Sequence, residues 1–197
     1  IGREGTLHLN LPGGGAAPIV TNAAFVQVGF EAREFDSLNN LANNTGTLEI
    51  QSQTIRAPGN MHNSGSLRMF GDSSFVIGGA YTQTAGSTEA NGNAFTPDAI
   101  IVNGGTFTAF GDIFADSINI NAGTFTAHEV SGSVFNNATV DLAGEMFIDG
   151  SYTQADTGLL ILALGATEQV HIGGLASLSG RLNLLRPHPE IPLGHGQ

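Results

Sequence analysis

A short phrase of the form Asn-x-Gly-[Thr/Ser]-[Leu/Phe] recurs about every nineteen residues along this chain. It occurs at residues 44–48, 63–67, 103–107 and 121–125, and a degenerate copy lies at residues 84–88. The glycines of successive copies are separated by 19, 21, 19 and 18 residues. Self-similarity at a fixed period of this size is typical of a solenoid, in which each repeat buries its apolar face against its neighbours.

Each copy of the phrase leads into a short segment of alternating apolar and polar residues, such as Leu48-Glu49-Ile50 and Phe107-Thr108-Ala109. Alternation with a period of two predicts β-strands. Further short apolar runs, among them Phe75-Val76-Ile77, lie between the copies. The 28 glycines and the many Asn, Ser and Thr residues disfavour helices. The pattern predicts a right-handed parallel β-helix with coils of roughly 19 residues, and eight or nine coils in the whole chain.

Strands of successive coils stack about 4.8 Å apart in such a fold, so equivalent residues lie above one another, and the predicted rod is roughly 40 Å long. An apolar column inside the tube is expected from Leu48, Leu67, Phe107 and Phe125. A second column, at a corner, is expected from Asn44, Asn63, Asn103 and Asn121. Twelve Phe, two Tyr and no Trp suggest a narrow interior without large polar rings.

Regularity divides the chain into three parts. Residues 1–43 are expected to form irregular coils or a cap, with a Gly/Pro-rich loop at residues 11–18 and a modest helical signal at residues 31–41. Residues 44–186 are predicted to be the regular solenoid. Residues 187–197 form a proline-rich tail that we expect to continue into further chain. The first residues resemble the middle of a repeat, so the chain is interpreted as a mature segment or a fragment.

The overall charge argues against several classes of partner. The formal net charge is −11, carried by 17 acidic residues against six arginines and no lysine. Such a surface repels nucleic acid backbones and anionic lipid headgroups. Cysteine is absent, which excludes disulfides and thiolate metal sites. The longest apolar stretches are too short for a membrane-spanning helix.

The last part of the chain resembles the closing coils of bacterial surface β-helices. The matching segments are Gly150-Ser151-Tyr152-Thr153-Gln154, the apolar run at residues 159–165 and the alternating run at residues 170–184. These segments are similar to those of autotransporter passenger domains and related repeat-rich exoproteins. The resemblance implies a bacterial protein that is secreted or displayed on the cell surface. In that family the pattern runs through a proline-containing loop into another strand, whereas here the chain stops at that point.

Three carboxylates are the best candidates for catalysis. Asp72 and Asp112 follow Phe-Gly in two repeats and are predicted to share one position two coils apart, with Asp116 nearby. Two carboxyl groups about 6.5–9.5 Å apart would suit an inverting glycosidase. A lyase would also need a base, and Arg68 belongs to a different column. The favoured interpretation is that each Gly-Asp pair forms a turn, because Asp accepts hydrogen bonds from its own backbone there.

No other motif predicts a catalytic, metal or cofactor site. The six histidines do not show the spacing of a metal site and are interpreted as solvated; they are His8, His62, His128, His171, His188 and His195. Gly13-Gly14-Gly15 lacks the Lys-Ser/Thr of a phosphate loop, and no Gly-x-Ser-x-Gly nucleophile motif occurs. The glycan acceptor patterns at Asn43 and Asn137 are attributed to chance.

Two Thr-x-Thr pairs, Thr106/Thr108 and Thr124/Thr126, are predicted to face outward one coil apart. Long flat arrays of such pairs can bind ice. This array is too short for that function, because Glu49 and Arg68 bring charge into the neighbouring coils.

The sequence therefore predicts an extracellular structural or adhesive β-solenoid without enzymatic activity, such as a stalk, an adhesin or a filament subunit. The alternative is a carbohydrate-active β-helix enzyme, either a polysaccharide lyase or a hydrolase. The expected partners are other copies of the chain or surface proteins, joined by end-to-end strand addition at the irregular first residues or at the tail. Polysaccharide is a further candidate partner.

Overall fold

The computed structural model describes residues 19–29, 36–142, 145–163 and 170–185. These residues form a parallel β-solenoid of about seven turns, as the sequence predicts. That number is slightly below the eight or nine coils expected for the whole chain. The first and last parts of the chain, including the loop at residues 11–18 and the tail at residues 187–197, lie outside the described residues.

Short strands and one 3-10 helix make up the coils. The helix is Asp36–Asn40. The strands are β1 (Thr21–Asn22), β2 (Phe25–Val28), β3 (Asn43–Asn44), β4 (Thr47–Gln51), β5 (Thr54–Ala57), β6 (Met61–Asn63), β7 (Ser66–Phe70), β8 (Ser74–Ile77), β9 (Ala80–Gln83), β10 (Ser87–Ala90), β11 (Ala94–Thr96), β12 (Ala99–Asn136), β13 (Thr139–Leu142), β14 (Met146–Ile148), β15 (Tyr152–Gln154), β16 (Leu159–Ala163), β17 (Val170–Ile172), β18 (Ala176–Leu178) and β19 (Arg181–Leu185).

The strands form three parallel walls around an apolar interior. Wall A contains β2, β4, β7, β10, β13, β16 and β19. Wall B contains β5, β8, β11, β14 and β17, and wall C contains β1, β3, β6, β9, β15 and β18. The long strand β12 bends at the corners and contributes to all three walls. The chain follows the walls in the order C, A, B.

The predicted apolar column is confirmed on wall A. Leu48 pairs with Leu67, Leu67 with Thr88, and Thr88 with Phe107. The rings of Phe107 and Phe125 stack with centroids 5.2 Å apart. Thr88 comes from the degenerate copy of the phrase and is a buried polar residue within this column.

The predicted asparagine column is wrong for two of its four members. Asn44 and Asn63 are buried and paired on wall C, as expected. The same register continues to Gln83 and then to Val102, so Asn103 lies one residue past the inward position and is exposed. Asn121 is exposed as well, and its Nδ2 donates to Oδ1 of Asn103 at 2.9 Å.

The length of the corner between walls C and A explains this difference. Gly65 follows the inward Asn63 by two residues, whereas Gly105 follows the inward Val102 by three. The longer corner is closed by glycine in the left-handed region, with φ of +74° at Gly105. The sequence phrase aligns the glycines correctly, but the extra residue moves Asn103 to the outside.

Buried amides inside the tube form a chain of hydrogen bonds. Nδ2 of Asn22 donates to Oδ1 of Asn44, and Nδ2 of Asn44 donates to Oδ1 of Asn63, each at 2.8 Å. Nδ2 of Asn63 donates to the Thr88 hydroxyl, which donates to Oε1 of Gln83. We call this chain the polar spine. It satisfies polar groups that would otherwise be costly to bury.

Both tyrosines lie inside the tube, contrary to the expectation of an interior without large polar rings. Tyr81 and Tyr152 are among the largest fully buried side chains. The Tyr81 hydroxyl bonds the Thr88 hydroxyl at 2.5 Å, and the Tyr152 hydroxyl accepts from Asn136 at 3.0 Å and donates to Gln154. In the two coils with the Tyr-Thr-Gln phrase, a buried ring and a buried amide are thus linked, directly between Tyr152 and Gln154 and through the Thr88 hydroxyl between Tyr81 and Gln83.

Regular pairing begins before residue 44, where the sequence places the start of the regular solenoid. Thr21 and Asn22 already pair with Asn43 and Asn44 in register. The irregular feature is the 3-10 helix, which packs beside β5 at the start of wall B. Leu38 is fully buried, and Oδ1 of Asn39 accepts a hydrogen bond from the backbone N of Arg56 at 3.3 Å. The helix thus takes the place of a wall-B strand in this coil.

Candidate functional site

The structure does not bring the predicted carboxylate pair into one position. Asp112 pairs with Ala94, and Ala94 pairs with Ser74, so Asp112 lies in the column of Ser74. Asp72 lies two residues earlier, at the corner between walls A and B. The corner after Phe70 is two residues longer than the corner after Phe110. The same Phe-Gly-Asp phrase therefore places its Asp in different columns in the two coils. Asp72 and Asp112 are both exposed.

Asp116 lies at the opposite end of wall B. Its backbone N donates to the carbonyl of Asp98 at 2.9 Å, at the corner that leads to wall C. Four residues of extended chain, about 13 Å, separate Asp116 from Asp112. The two residues therefore lie at opposite ends of one strand.

Arg68 is held between two acids on wall A. Its Nη1 lies 3.1 Å from Glu49 and its Nε lies 3.1 Å from Glu89, in the coils on either side. The guanidinium also lies over the Phe70 ring, 5.1 Å from the centroid. The hydrogen bond and charge of Glu89 raise the pKa of Arg68. Arg68 is therefore a cation paired with two acids in a column of alternating charge.

Two histidines flank a phenylalanine on wall B. The Phe147 ring stacks on His171 with centroids 4.7 Å apart and meets the edge of His128 at 5.9 Å. Nε2 of His171 lies 3.3 Å from Oε1 of Glu145. The remaining described histidine, His62, is exposed on β6. His8, His188 and His195 lie outside the described residues.

A groove of about 380 Å³ lies beside this aromatic group, lined in part by Phe147, Asp149, His171 and Gly173. Sequence patterns do not predict this group of rings, because the spacing of His128, Phe147 and His171 changes from 19 to 24 residues. The groove offers one carboxylate and one imidazole.

The outward Thr-x-Thr pairs lie where the sequence predicts. Phe107 and Phe125 are fully buried, so Thr106, Thr108 and Thr124 point away from the interior. Thr108 pairs in register with Glu89, the acid that contacts Arg68 from the following coil. The charged residues therefore interrupt the flat hydroxyl surface, as expected.

Within the described ranges, no group of three or more His, Cys, Asp or Glu side chains is placed to hold a metal ion. In the same part of the chain, no helix has the length and apolar character needed to cross a bilayer. No protein-family model matches the chain, and no match is found among curated proteins or solved structures.

Proposed function

We propose that this chain is a structural or adhesive β-solenoid of a bacterial cell surface or secreted protein, similar in role to autotransporter passenger segments. The support for the extracellular and bacterial part is the motif at residues 150–184 together with the acidic composition free of lysine and cysteine. The support for the structural part is the architecture itself.

The observation that carries the proposal is the unbroken register of the walls. Wall A pairs in parallel from β2 to β10, through β12, and on from β13 to β19. Backbone hydrogen bonds in such a stack run along the rod axis, so bending the rod requires breaking many of them together. A stiff acidic rod of roughly 34 Å, the length of about seven coils spaced about 4.8 Å apart, suits a spacer or a filament segment.

The placement of the acidic residues leaves little support for the alternative function, a polysaccharide lyase or hydrolase. A lyase or hydrolase needs two or three acidic groups and a base on one surface. Asp72 lies at the corner between walls A and B, Asp112 lies at the start of wall B in a column two residues further on, and Asp116 lies at the opposite end of wall B. Arg68 is already paired with Glu49 and Glu89. We therefore propose a role without catalysis.

The proposed partners join at the ends of the rod. Edge strands at the end of a solenoid have free backbone groups that can add another strand. Other copies of this chain or other surface proteins would bind there, and polysaccharide would contact the polar walls.

Electron microscopy of the protein displayed on cells, together with small-angle scattering in solution, tests the structural role. The expected result is a rod whose dimensions do not change in the Asp72→Asn/Asp112→Asn variant, with unchanged adhesion of cells that display it. A screen with acidic and neutral polysaccharides provides the opposing test. Cleavage of any of them that is lost in this double variant would replace the structural function by the enzymatic one.

A further inference from the structure

The outer face of wall B differs in charge from the other two walls. The chain has no Lys or Arg between Arg68 and Arg181. Seven described acidic residues of this stretch lie on wall B or at its two corners, namely Asp72, Asp98, Asp112, Asp116, Glu129, Glu145 and Asp149. Glu89, Asp141 and Asp156 are the described acids of the stretch that lie elsewhere. The acidic charge of the rod is therefore concentrated on one side.

One exposed aromatic ring lies in the middle of this acidic side. Phe114 is 46% exposed, whereas the neighbouring Ile113 and Ala115 are buried, so the Phe114 side chain points outward. Ile113 pairs with Phe95, which places Phe114 beside Thr96 of the previous coil. Coils that the structure describes precede and follow this one. The ring therefore lies on the side of the rod, away from both ends of the described chain.

Two carboxylates from successive coils lie at the end of the same strand. Asp116 follows Phe114 by two residues on the outward face, and its backbone N donates to the carbonyl of Asp98 at 2.9 Å. The backbone N of Asp98 donates to the carbonyl of Gly79 at 3.0 Å. In the coil after Asp116, Gly132 lies against its backbone, where an added Cβ would be 3.1 Å from the carbonyl carbon. Because glycines flank the two acids along the axis, no side chain from these positions covers them. We call Phe114, Asp98 and Asp116 the acidic aromatic group.

The two acids have no positive partner within the ranges that the structure describes. Their side chains are exposed and come from neighbouring coils, and like charges on neighbouring strands repel each other. The ion pairs of the described residues involve Arg68 and His171, and neither of these contacts Asp98 or Asp116. A cation bound at this position would remove the repulsion.

Wall A shows how this chain holds a cation. The guanidinium of Arg68 lies over the Phe70 ring, 5.1 Å from its centroid. Its nitrogens lie 3.1 Å from Glu49 and from Glu89, which come from the coils on either side. One aromatic ring and two carboxylates from different coils therefore hold one guanidinium. The acidic aromatic group on wall B has the same three kinds of side chain but no arginine.

We infer that the acidic aromatic group binds arginine side chains of another protein, in an extended basic segment that lies against wall B. A guanidinium can stack on an aromatic ring and donate to carboxylates at the same time, because it is planar and carries several donors, whereas a lysine ammonium is a single point charge. Glu129 and Asp149, exposed in the two following coils, would contact further basic residues of the segment. A second copy of this chain is a poor occupant, because its net charge of −11 would bring like charges together.

This site adds a lateral partner to the end-to-end partners proposed above and goes beyond the structural role. The Asp72→Asn/Asp112→Asn variant that tests the structural role leaves all three residues of the acidic aromatic group unchanged. The two proposals can therefore fail separately.

Peptide binding to the full 197-residue chain tests the inference. The probe is a short fluorescent peptide of alternating Gly and Arg, and its affinity is measured by anisotropy in 0.1 M salt, where charges more than about 10 Å apart are largely screened. An exposed ion pair or cation–π contact changes an affinity about two- to fivefold. Asp98→Asn/Asp116→Asn should therefore weaken binding about fivefold. Phe114→Leu, which keeps an apolar side chain but removes the ring, should weaken it about threefold.

Matched variants separate this site from general attraction to an acidic rod. Asp141→Asn/Asp156→Asn removes the same charge from wall A and from the corner after wall C. Phe135→Leu removes a ring on wall C that is 39% exposed. Both should leave the affinity for the peptide nearly unchanged.

The same peptide with Lys in place of Arg should bind more weakly. Equal losses in the two aspartate double variants, or no binding of the arginine peptide to the unmodified chain, overturn the inference. Tighter binding of an oligomer of glucosamine also overturns it, since the partner would then be a cationic polysaccharide. In each of these cases, a rod of unchanged dimensions in scattering leaves the structural role in place.

Discussion

The side-chain amide of Asn44 donates a hydrogen bond of 2.8 Å to Oδ1 of Asn63, one coil further along the inside of the tube. Both residues are fully buried. Each amide therefore depends on the coil next to it for its hydrogen bonds, and the polar spine fixes the order in which coils stack. Apolar columns alone do not have this directional requirement.

Replacing Asn63 tests the polar spine. Asn63→Ala removes the acceptor of Asn44 and a donor to Thr88, so we expect unfolding to become about 2 kcal/mol easier, the usual cost of leaving buried polar groups without partners. Urea denaturation followed by circular dichroism measures this. Asn103→Ala is the matched control, because that asparagine occurs in the same sequence phrase but is exposed, and its effect should stay within about 0.5 kcal/mol. Equal losses in both variants would contradict the placement of the two residues.

Glycine at the corner of the repeat is required by close stacking. A Cβ on Gly65 would lie 2.0 Å from the carbonyl oxygen of Gly46 in the previous coil. Gly65→Ala is therefore expected to destabilise the fold by about 1–3 kcal/mol, as overpacking does elsewhere. Gly59→Ala is the control, since a Cβ there meets nothing within 4 Å. The melting temperatures of both variants test this prediction. An unchanged melting temperature of the Gly65→Ala protein would show that the coils are less tightly stacked.

The buried tyrosines predict loss of stability at high pH. Burial raises the pKa of Tyr81 and of Tyr152 above the ordinary value of 10.0. The unfolded chain therefore loses these protons first. The stability that the neutral phenols provide is complete below pH 10 and is lost as the pH rises from there towards their folded-state pKa values, by up to about 1.4 kcal/mol per pH unit for Tyr81.

Urea midpoints measured from pH 8 to pH 12 test this, and lysine and cysteine do not interfere because the chain has neither. The Tyr81→Phe/Tyr152→Phe variant should show a much flatter profile above pH 10, whatever its stability at neutral pH. The same steep decline in this variant would assign the effect to other groups.

Charge alternation on wall A predicts a salt-dependent variant. Arg68→Glu would place three acids in successive coils, because Glu49 and Glu89 already flank that position. Like charges on neighbouring strands repel, so the melting temperature should fall by several degrees at low ionic strength. In 1 M salt, where the screening length is about 3 Å, most of the loss should be recovered. Arg56→Glu on wall B, where the paired residue is Val76, is the control and should show little salt dependence.

The sequence predicted the solenoid because two signals agreed. The strands alternate with a period of two, and the glycines that begin them return at nearly constant spacing. The wall-A column from Leu48 to Phe125 follows directly from these signals. In wall C the same signals wrongly predicted that Asn103 points inward, because the corner before Gly105 contains an extra residue. The length of a corner cannot be predicted from residue propensities.

The candidate site was predicted less well for a related reason. Asp72 and Asp112 share a local phrase, but the corners that follow Phe70 and Phe110 differ in length. The sequence did not predict that His128, Phe147 and His171 lie together, because the coil after Phe147 is longer than the neighbouring coils. Buried tyrosine was unexpected because partners of Tyr81 and Tyr152 lie on the next wall, at Thr88, and in the previous coil, at Asn136.

The corner between walls C and A varies in length without disturbing the columns on either side. Leu67 follows the inward Asn63 by four positions, Thr88 follows Gln83 by five and Leu160 follows Gln154 by six, yet all remain in register. We therefore expect small insertions and deletions at this corner to cost little stability. Duplication of a gene segment that encodes one coil would lengthen the protein without a new fold, whereas a one-residue indel inside a wall would turn the remaining side chains of that strand to the wrong face.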